Sequence, residues 1–222
     1  VAASGEPDTV DVEGNQCGSA SPKSVKPAIQ LRYIPLVPIP QTYIFKQMSD
    51  QFPVWIIDNY STFSGDRTFM GDFVYQIKYL GNHRELKNLE TVVRHVLLQL
   101  LKFPKPWMSM NGIDAVISVP PSPGSKNTLP QQIAEFSSTV LTVPDWSGQV
   151  QRIKAQGQAK LGNVALPSMF TSRMSFTNKR ILIVDDVFLT GSTLNALATS
   201  LRLAGASSIV GLCLAKANQR TN

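Results

Sequence analysis

Two adjacent carboxylates, Asp185 and Asp186, follow four consecutive apolar residues, Ile181-Leu182-Ile183-Val184. A short turn with Leu189, Thr190, Gly191, Ser192 and Thr193 comes after them. The apolar run reads as a buried parallel strand that ends at the acidic pair, and Leu194 to Ala204 has the composition of a helix. This order of strand, acids, hydroxyl-rich turn and helix suits a sugar phosphate. Backbone N–H groups at a helix start, with the positive end of the helix dipole, favour a phosphate. Thr190, Ser192 and Thr193 add donors, and Gly191 lets the backbone come close. Asp185 and Asp186 are acceptors for the two hydroxyls of a ribose lying just outside the strand's carboxyl end.

The bland alternative is a buried strand followed by a solvated turn. Two sharper rivals fail on the sequence itself. A Walker B strand needs a partner of the form G-x-x-x-x-G-K-[ST]; the nearest stretch, Gly124-Ser125-Lys126-Asn127, lacks that pattern. A receiver domain also has a strand ending in Asp-Asp, but it needs several more β-α units than Val187 to Asn222 can supply.

The elements that must position these residues alternate between strands and helices. A short strand is expected at Val54–Asp58 and a helix over Phe69–Tyr79, closed by Gly81-Asn82. A longer helix follows from about Arg84 to Lys102, with Leu86, Leu89, Val93, Val96/Leu97 and Leu100/Leu101 on one wide face. Pro104 and Pro106 stop it. Next come a buried strand at Asp114–Val119, a helix at Leu129–Val140 and a strand at Gln149–Ile153. The polar stretch Lys154 to about Ser168 reads as a mobile loop. The motif strand, its helix and a last strand, Ser208–Leu214, complete the series. The expected fold is therefore α/β, a doubly wound parallel sheet with an irregular N-terminal extension.

Composition bounds the rest. The chain has 222 residues, 43% of them hydrophobic, enough to bury a full core. No run of eighteen apolar residues occurs, so no membrane partner is expected. Residues 1 to about 28 are rich in Gly, Ser, Pro, Asp and Glu and read as a disordered leader rather than a signal peptide. Residues 29–68 form an N-terminal extension whose prolines suit extended segments at a sheet edge. The main domain spans 69–217, and 218–222 are a tail. Two cysteines, Cys17 and Cys213, make neither a credible disulfide nor a four-cysteine zinc site, which points to a reducing cytoplasm. A net charge of +6 fits an anionic substrate or a nucleic-acid backbone equally well. His83 and His95 read as structural.

Three loops leave carboxyl ends of strands, where ligands of open α/β sheets bind. Loop 120–127 holds Ser122, Gly124, Ser125 and Lys126, a reasonable cradle for pyrophosphate. Loop 154–168 carries Lys154, Gln158 and Lys160, with Arg152 just before it, and could close over a bound anion. Loop 187–193 is the phosphate turn described above.

The stretch from Ile181 to Thr193 resembles the phosphoribosyl pyrophosphate (PRPP) motif of type I phosphoribosyltransferases, and the order of the three loops matches that family's. Within it the chain is similar to the ComF branch, associated with natural competence. The resemblance rests on Val74-Tyr75-Gln76-Ile77-Lys78-Tyr79-Leu80-Gly81, on Ser118-Val119-Pro120, and on Arg152 with Gln158, Leu161 and Asn163. It covers about residues 69–217. Two departures stand out: the branch's N-terminal four-cysteine zinc element is absent, and Ser125-Lys126-Asn127-Thr128 stands where the branch has Arg-Gly-Phe-Asn-Gln.

The resemblance implies a cytoplasmic enzyme that transfers phosphoribosyl from PRPP to a small nitrogenous acceptor and releases magnesium-bound pyrophosphate. Asp185, Asp186, Lys154 and Lys160 would be the catalytic residues. Ser122, Lys126, Asp185, Asp186, Leu189, Thr190, Gly191, Ser192 and Thr193 would bind PRPP. Magnesium would sit on Asp185 and Asp186, directly or through water, and residues 29–68 could form the hood over the acceptor. A PRPP- or nucleotide-sensing protein of the same fold, regulatory or nucleic-acid-binding, is the second reading. A homodimer and a nucleic-acid partner are further associations this reading admits.

Overall fold

The computed structural model describes residues 41–47, 50–62, 64–82, 84–103, 109–122, 124–125, 128–153 and 169–217. All of them belong to one compact unit, Ile34–Asn222. Strands β1 (Gln41–Gln47), β2 (Asp50–Asn59), β3 (Ala115–Ser118), β6 (Arg180–Phe188) and β7 (Ser208–Lys216) form the central sheet, in the order β1-β2-β7-β6-β3. Strands β2, β7, β6 and β3 run parallel, and β1 is an antiparallel edge on β2. A separate antiparallel ribbon pairs β4 (Val150–Arg152) with β5 (Phe170–Ser172).

The sheet is buried on both faces because its strands are apolar at consecutive positions. On β6, Leu182 and Val184 join one cluster with Met70, Phe73 and Val74 of α1 (Phe69–Leu80), Leu89, Val93 and Leu97 of α2 (Glu85–Leu101), and Leu129 and Ile133 of α3 (Leu129–Leu141). Ile181 and Ile183 join the opposite cluster with Leu194, Leu197 and Leu201 of α4 (Ser192–Leu203), together with Val150 and Phe170 of the ribbon. Helices thus cover both faces of a mostly parallel sheet, which is the doubly wound α/β architecture the alternating pattern predicts.

The N-terminal extension enters this sheet. Strand β2 pairs with β7 from Val54↔Gly211 to Asn59↔Lys216, and Trp55 and Ile57 are buried against α1 and α2. Pro53 lies just before that register begins, so its missing N–H costs the β7 ladder nothing. The described part of residues 29–68 therefore contributes two strands, β1 at the sheet edge where the prolines suggest extended chain, and β2, longer than the expected Val54–Asp58. Residues 1–40, 104–108 and 154–168, and the tail 218–222, lie outside the described residues. Among the described residues, no helix is long and apolar enough to cross a membrane.

Helix α1 meets the edge of the site at both of its ends. Thr68 caps it, its Oγ1 accepting the Gly71 N–H at 3.1 Å while its own hydroxyl donates to the Asn59 carbonyl. Gly71 touches the end of β2: a Cβ there would lie 1.7 Å from the Tyr60 carbonyl oxygen. The helix's last turn reaches the end of β6 through Lys78. Both of its ends are thus tied to the carboxyl edge of the sheet, where loops 60–68, 119–122 and 189–191 also emerge.

Candidate functional site

Strand β6 runs through both acids to Phe188, instead of ending at Asp185 as the apolar run suggests. Strand β7 makes this possible by offering ladder partners as far as Lys216, with Asp185↔Cys213 and Phe188↔Lys216 in register. Successive strand side chains point to opposite faces. Asp185 therefore follows Ile183 to the α4 side, and Asp186 follows Val184 to the α1 side. The two carboxylates leave opposite faces of the strand, and their side chains still interact where the strand ends.

Asp185 lines a pocket of about 110 Å³ with Val187, Leu189, Thr190, Gly191, Ser192 and Thr193. This pocket brings together six of the expected PRPP residues. Its floor is the start of α4. Gly191 is the N-cap, in the left-handed region at φ 76°, a conformation in which a side chain would strain the backbone. It offers no capping side chain, and no acidic residue sits in the helix's first turn. Helix starts normally need an acceptor for these N–H groups, and an anion can supply one here. The hydroxyls are already gathered: Thr190 Oγ1 and Ser192 Oγ lie 2.9 Å apart, and the Ser192 N–H points to Thr190 Oγ1 at 3.3 Å.

Asp186 is 4% exposed and does not line the pocket. Its Oδ1 accepts the Val187 N–H at 2.7 Å, and its Oδ2 accepts from Lys78 Nζ at 2.7 Å. Asp185 Oδ1 in turn accepts the Asp186 N–H at 2.9 Å. Burial, and then the neighbouring charge of Asp186, push the Asp185 carboxyl up to about 7. Burial alone would lower Lys78, but its hydrogen bond and charge pairing with Asp186 leave it above the ordinary lysine value.

Ser122 stands in the loop after β3 and does not line this pocket. It is held by Arg152, whose Nη1 donates to the Ser122 Oγ at 2.8 Å, while the Arg152 guanidinium lies 5.2 Å from the Phe170 ring centroid. Lys126, Lys154 and Lys160 lie outside the described residues. Sequence reasoning gave Lys78 no role in the site. It stands only within the Val74–Gly81 stretch that carries the ComF resemblance, and neither that stretch nor helical spacing names a partner on a distant strand.

No protein-family model matches the chain, and no curated protein matches it. Among solved structures, it is similar to a purine phosphoribosyltransferase from Pyrococcus horikoshii Ot3, with 21% identity and a TM-score of 0.38, over 58% of this chain and 73% of that one. It is also similar to an allosteric regulatory enzyme of purine biosynthesis, with 17% identity and a TM-score of 0.37, over 56% of this chain and 25% of that one. A third likeness is to UMP synthase of Leishmania donovani, with 20% identity and a TM-score of 0.35, over 71% of this chain and 28% of that one. Likenesses of this size decide nothing about the site, whose reading rests on its own geometry.

Proposed function

We propose that the chain binds PRPP and transfers its phosphoribosyl group to a small nitrogen nucleophile, releasing pyrophosphate. The observation that carries this reading is the pocket itself, which has the Asp185 carboxylate on one wall and the uncapped, hydroxyl-lined start of α4 on another. A 5′-phosphate is held by the turn from Leu189 to Thr193, and the ribose hydroxyls donate to Asp185. Asp186 contributes from the other face of the strand, through its own N–H to Asp185.

In the reaction, the acceptor nitrogen bonds to C1 while the C1–O bond to pyrophosphate breaks and the leaving group takes the electron pair. The protein's work is to hold the ribose still and to place positive charge where the leaving group gathers negative charge. Ser122 serves the pyrophosphate end, with Lys126, Lys154 and Lys160 assigned to it from the sequence alone.

Magnesium fits this donor set in a limited way. Among the described residues no cluster of three His, Cys, Asp or Glu side chains could hold a metal. Asp186 is engaged by Lys78, which leaves Asp185 as the available carboxylate. A hard cation that relies mainly on substrate oxygens and water needs little more. When bound, the ion would neutralise charge on the pyrophosphate.

Calorimetric titration of PRPP with magnesium, followed by a screen of nitrogenous bases for pyrophosphate release, tests the reading. Micromolar binding lost in Asp185→Asn is expected. A folded protein that takes up no PRPP overturns it, and one that binds without turnover with any base moves it to a sensing role.

A further inference from the structure

The Lys78–Asp186 ion pair joins the last turn of α1 to the end of β6 across 108 positions of sequence. The Asp186 side chain is 6% exposed and that of Lys78 is 24% exposed, so the pair is shielded from water on the carboxylate side. Both Asp186 oxygens have partners, Val187 N–H and Lys78 Nζ. The peptide N–H of Asp186 is in turn the group that fixes Asp185 Oδ1 at 2.9 Å. A continuous series of charge-assisted contacts therefore runs from Lys78 through Asp186 to the one carboxylate that lines the pocket.

We infer that Lys78 is a positioning residue for the ribose end of this site: by clamping Asp186 against α1, it holds the peptide that aims the Asp185 carboxylate into the pocket. This role rests on the sugar-phosphate reading above and adds a residue from outside the motif. Lys78 does not line the pocket, so it acts through Asp186 rather than on the ligand. Its absence would strip a buried carboxylate of this cation. Such a group is costly to keep in place and drags its neighbours as it turns towards water. The phosphate turn at Thr190–Thr193 is built from the start of α4 and does not use the pair.

The difference between the two halves of the pocket supplies the test. Ribose 5-phosphate and inorganic phosphate are titrated by calorimetry into the parent protein, Lys78→Met and Lys78→Arg, with thermal melts alongside. Lys78→Met is expected to weaken ribose 5-phosphate by roughly tenfold or more, the scale of one lost charge-assisted hydrogen bond. Inorganic phosphate should bind as in the parent, and Lys78→Arg should restore most of the sugar-dependent affinity.

Equal ribose 5-phosphate affinity in folded Lys78→Met overturns the role, as does a parallel loss of both probes. Since Lys78→Met leaves a buried charge, the Lys78→Met/Asp186→Leu pair provides a variant that keeps the fold. Parent-like ribose 5-phosphate binding in that variant also overturns the role, and selective loss supports it. A parent protein that binds neither probe sinks the sugar-phosphate reading itself, and the positioning role with it.

Discussion

Arg152 on β4 donates from Nη1 to the Ser122 Oγ at 2.8 Å, so the β4–β5 ribbon holds the loop that leaves β3. Ser125 closes a turn in the same loop, its N–H donating to the Ser122 carbonyl at 2.9 Å. Arg152→Ala is expected to lower PRPP affinity about fivefold, the worth of one net hydrogen bond. Calorimetry on the variant checks this, and unchanged affinity would mean that the loop keeps its shape unaided.

Asp185 and Asp186 should respond differently to the same change. Asp185→Asn removes the carboxylate that lines the pocket, and should cost PRPP at least about tenfold in affinity with little loss of stability. Asp186→Asn leaves the Lys78 ammonium facing a neutral amide in a largely buried place. It should lower unfolding stability by about 2 kcal/mol, on the low side for a broken buried pair because Lys78 retains some solvent. Urea unfolding of both variants distinguishes the two roles, and equal stability losses would contradict the opposite-face arrangement.

The raised Asp185 carboxyl has a signed consequence for pH. Its value in the folded chain, about 7, lies above the ordinary 3.8. The folded state therefore binds this proton more tightly than the unfolded state does, and stability contributed by this group falls as pH rises between those two values. Asp185→Asn abolishes that fall, so its Tm should gain on the parent's progressively from pH 4 to pH 7. Melts of both proteins across this range provide the check; a constant offset would mean that Asp185 is not titrating there.

Gly191→Val places a β-branched side chain at a positive φ and crowds the phosphate turn. Inorganic phosphate binding should disappear, at a stability cost of about 1–2 kcal/mol for the left-handed backbone. Undiminished phosphate affinity in this variant would relocate the anion site.

Gly71→Ala tests the docking of α1 at the carboxyl edge. The added Cβ would meet the Tyr60 carbonyl oxygen, so helix and strand end must part. A loss of about 3 kcal/mol, or roughly 10 °C in Tm, is expected. A parent-like melt would show that α1 can shift there without cost.

Much of this was legible in the residues. The face Leu89, Val93, Val96 and Leu97 announces α2, and all four are fully buried. The hydroxyl turn and Gly191, legible as a turn before a helix, line the pocket with Asp185. What could not be read depends on partners distant in sequence. Strand β6 outlasts its apolar run because β7 pairs with the acids, and that same extension separates Asp185 from Asp186. Strand β5 has only three residues, too few to show a period. Strand β1 is a seven-residue edge whose only described neighbour in the sheet is β2. The pairing of Lys78 with Asp186 becomes visible only when α1 and β6 are brought together.

The strand order carries a consequence for how the molecule comes into being. Strand β2 pairs with β7, the last strand described, as Val54↔Gly211. During synthesis β2 and α1 leave the ribosome long before their partner, and at ordinary elongation rates the wait is on the order of ten seconds. Through that interval β2 lacks its parallel neighbour, and the apolar face of α1 has only part of its sheet to cover. The nascent chain is therefore a natural client for chaperones, and the pocket closes only once β7 has emerged.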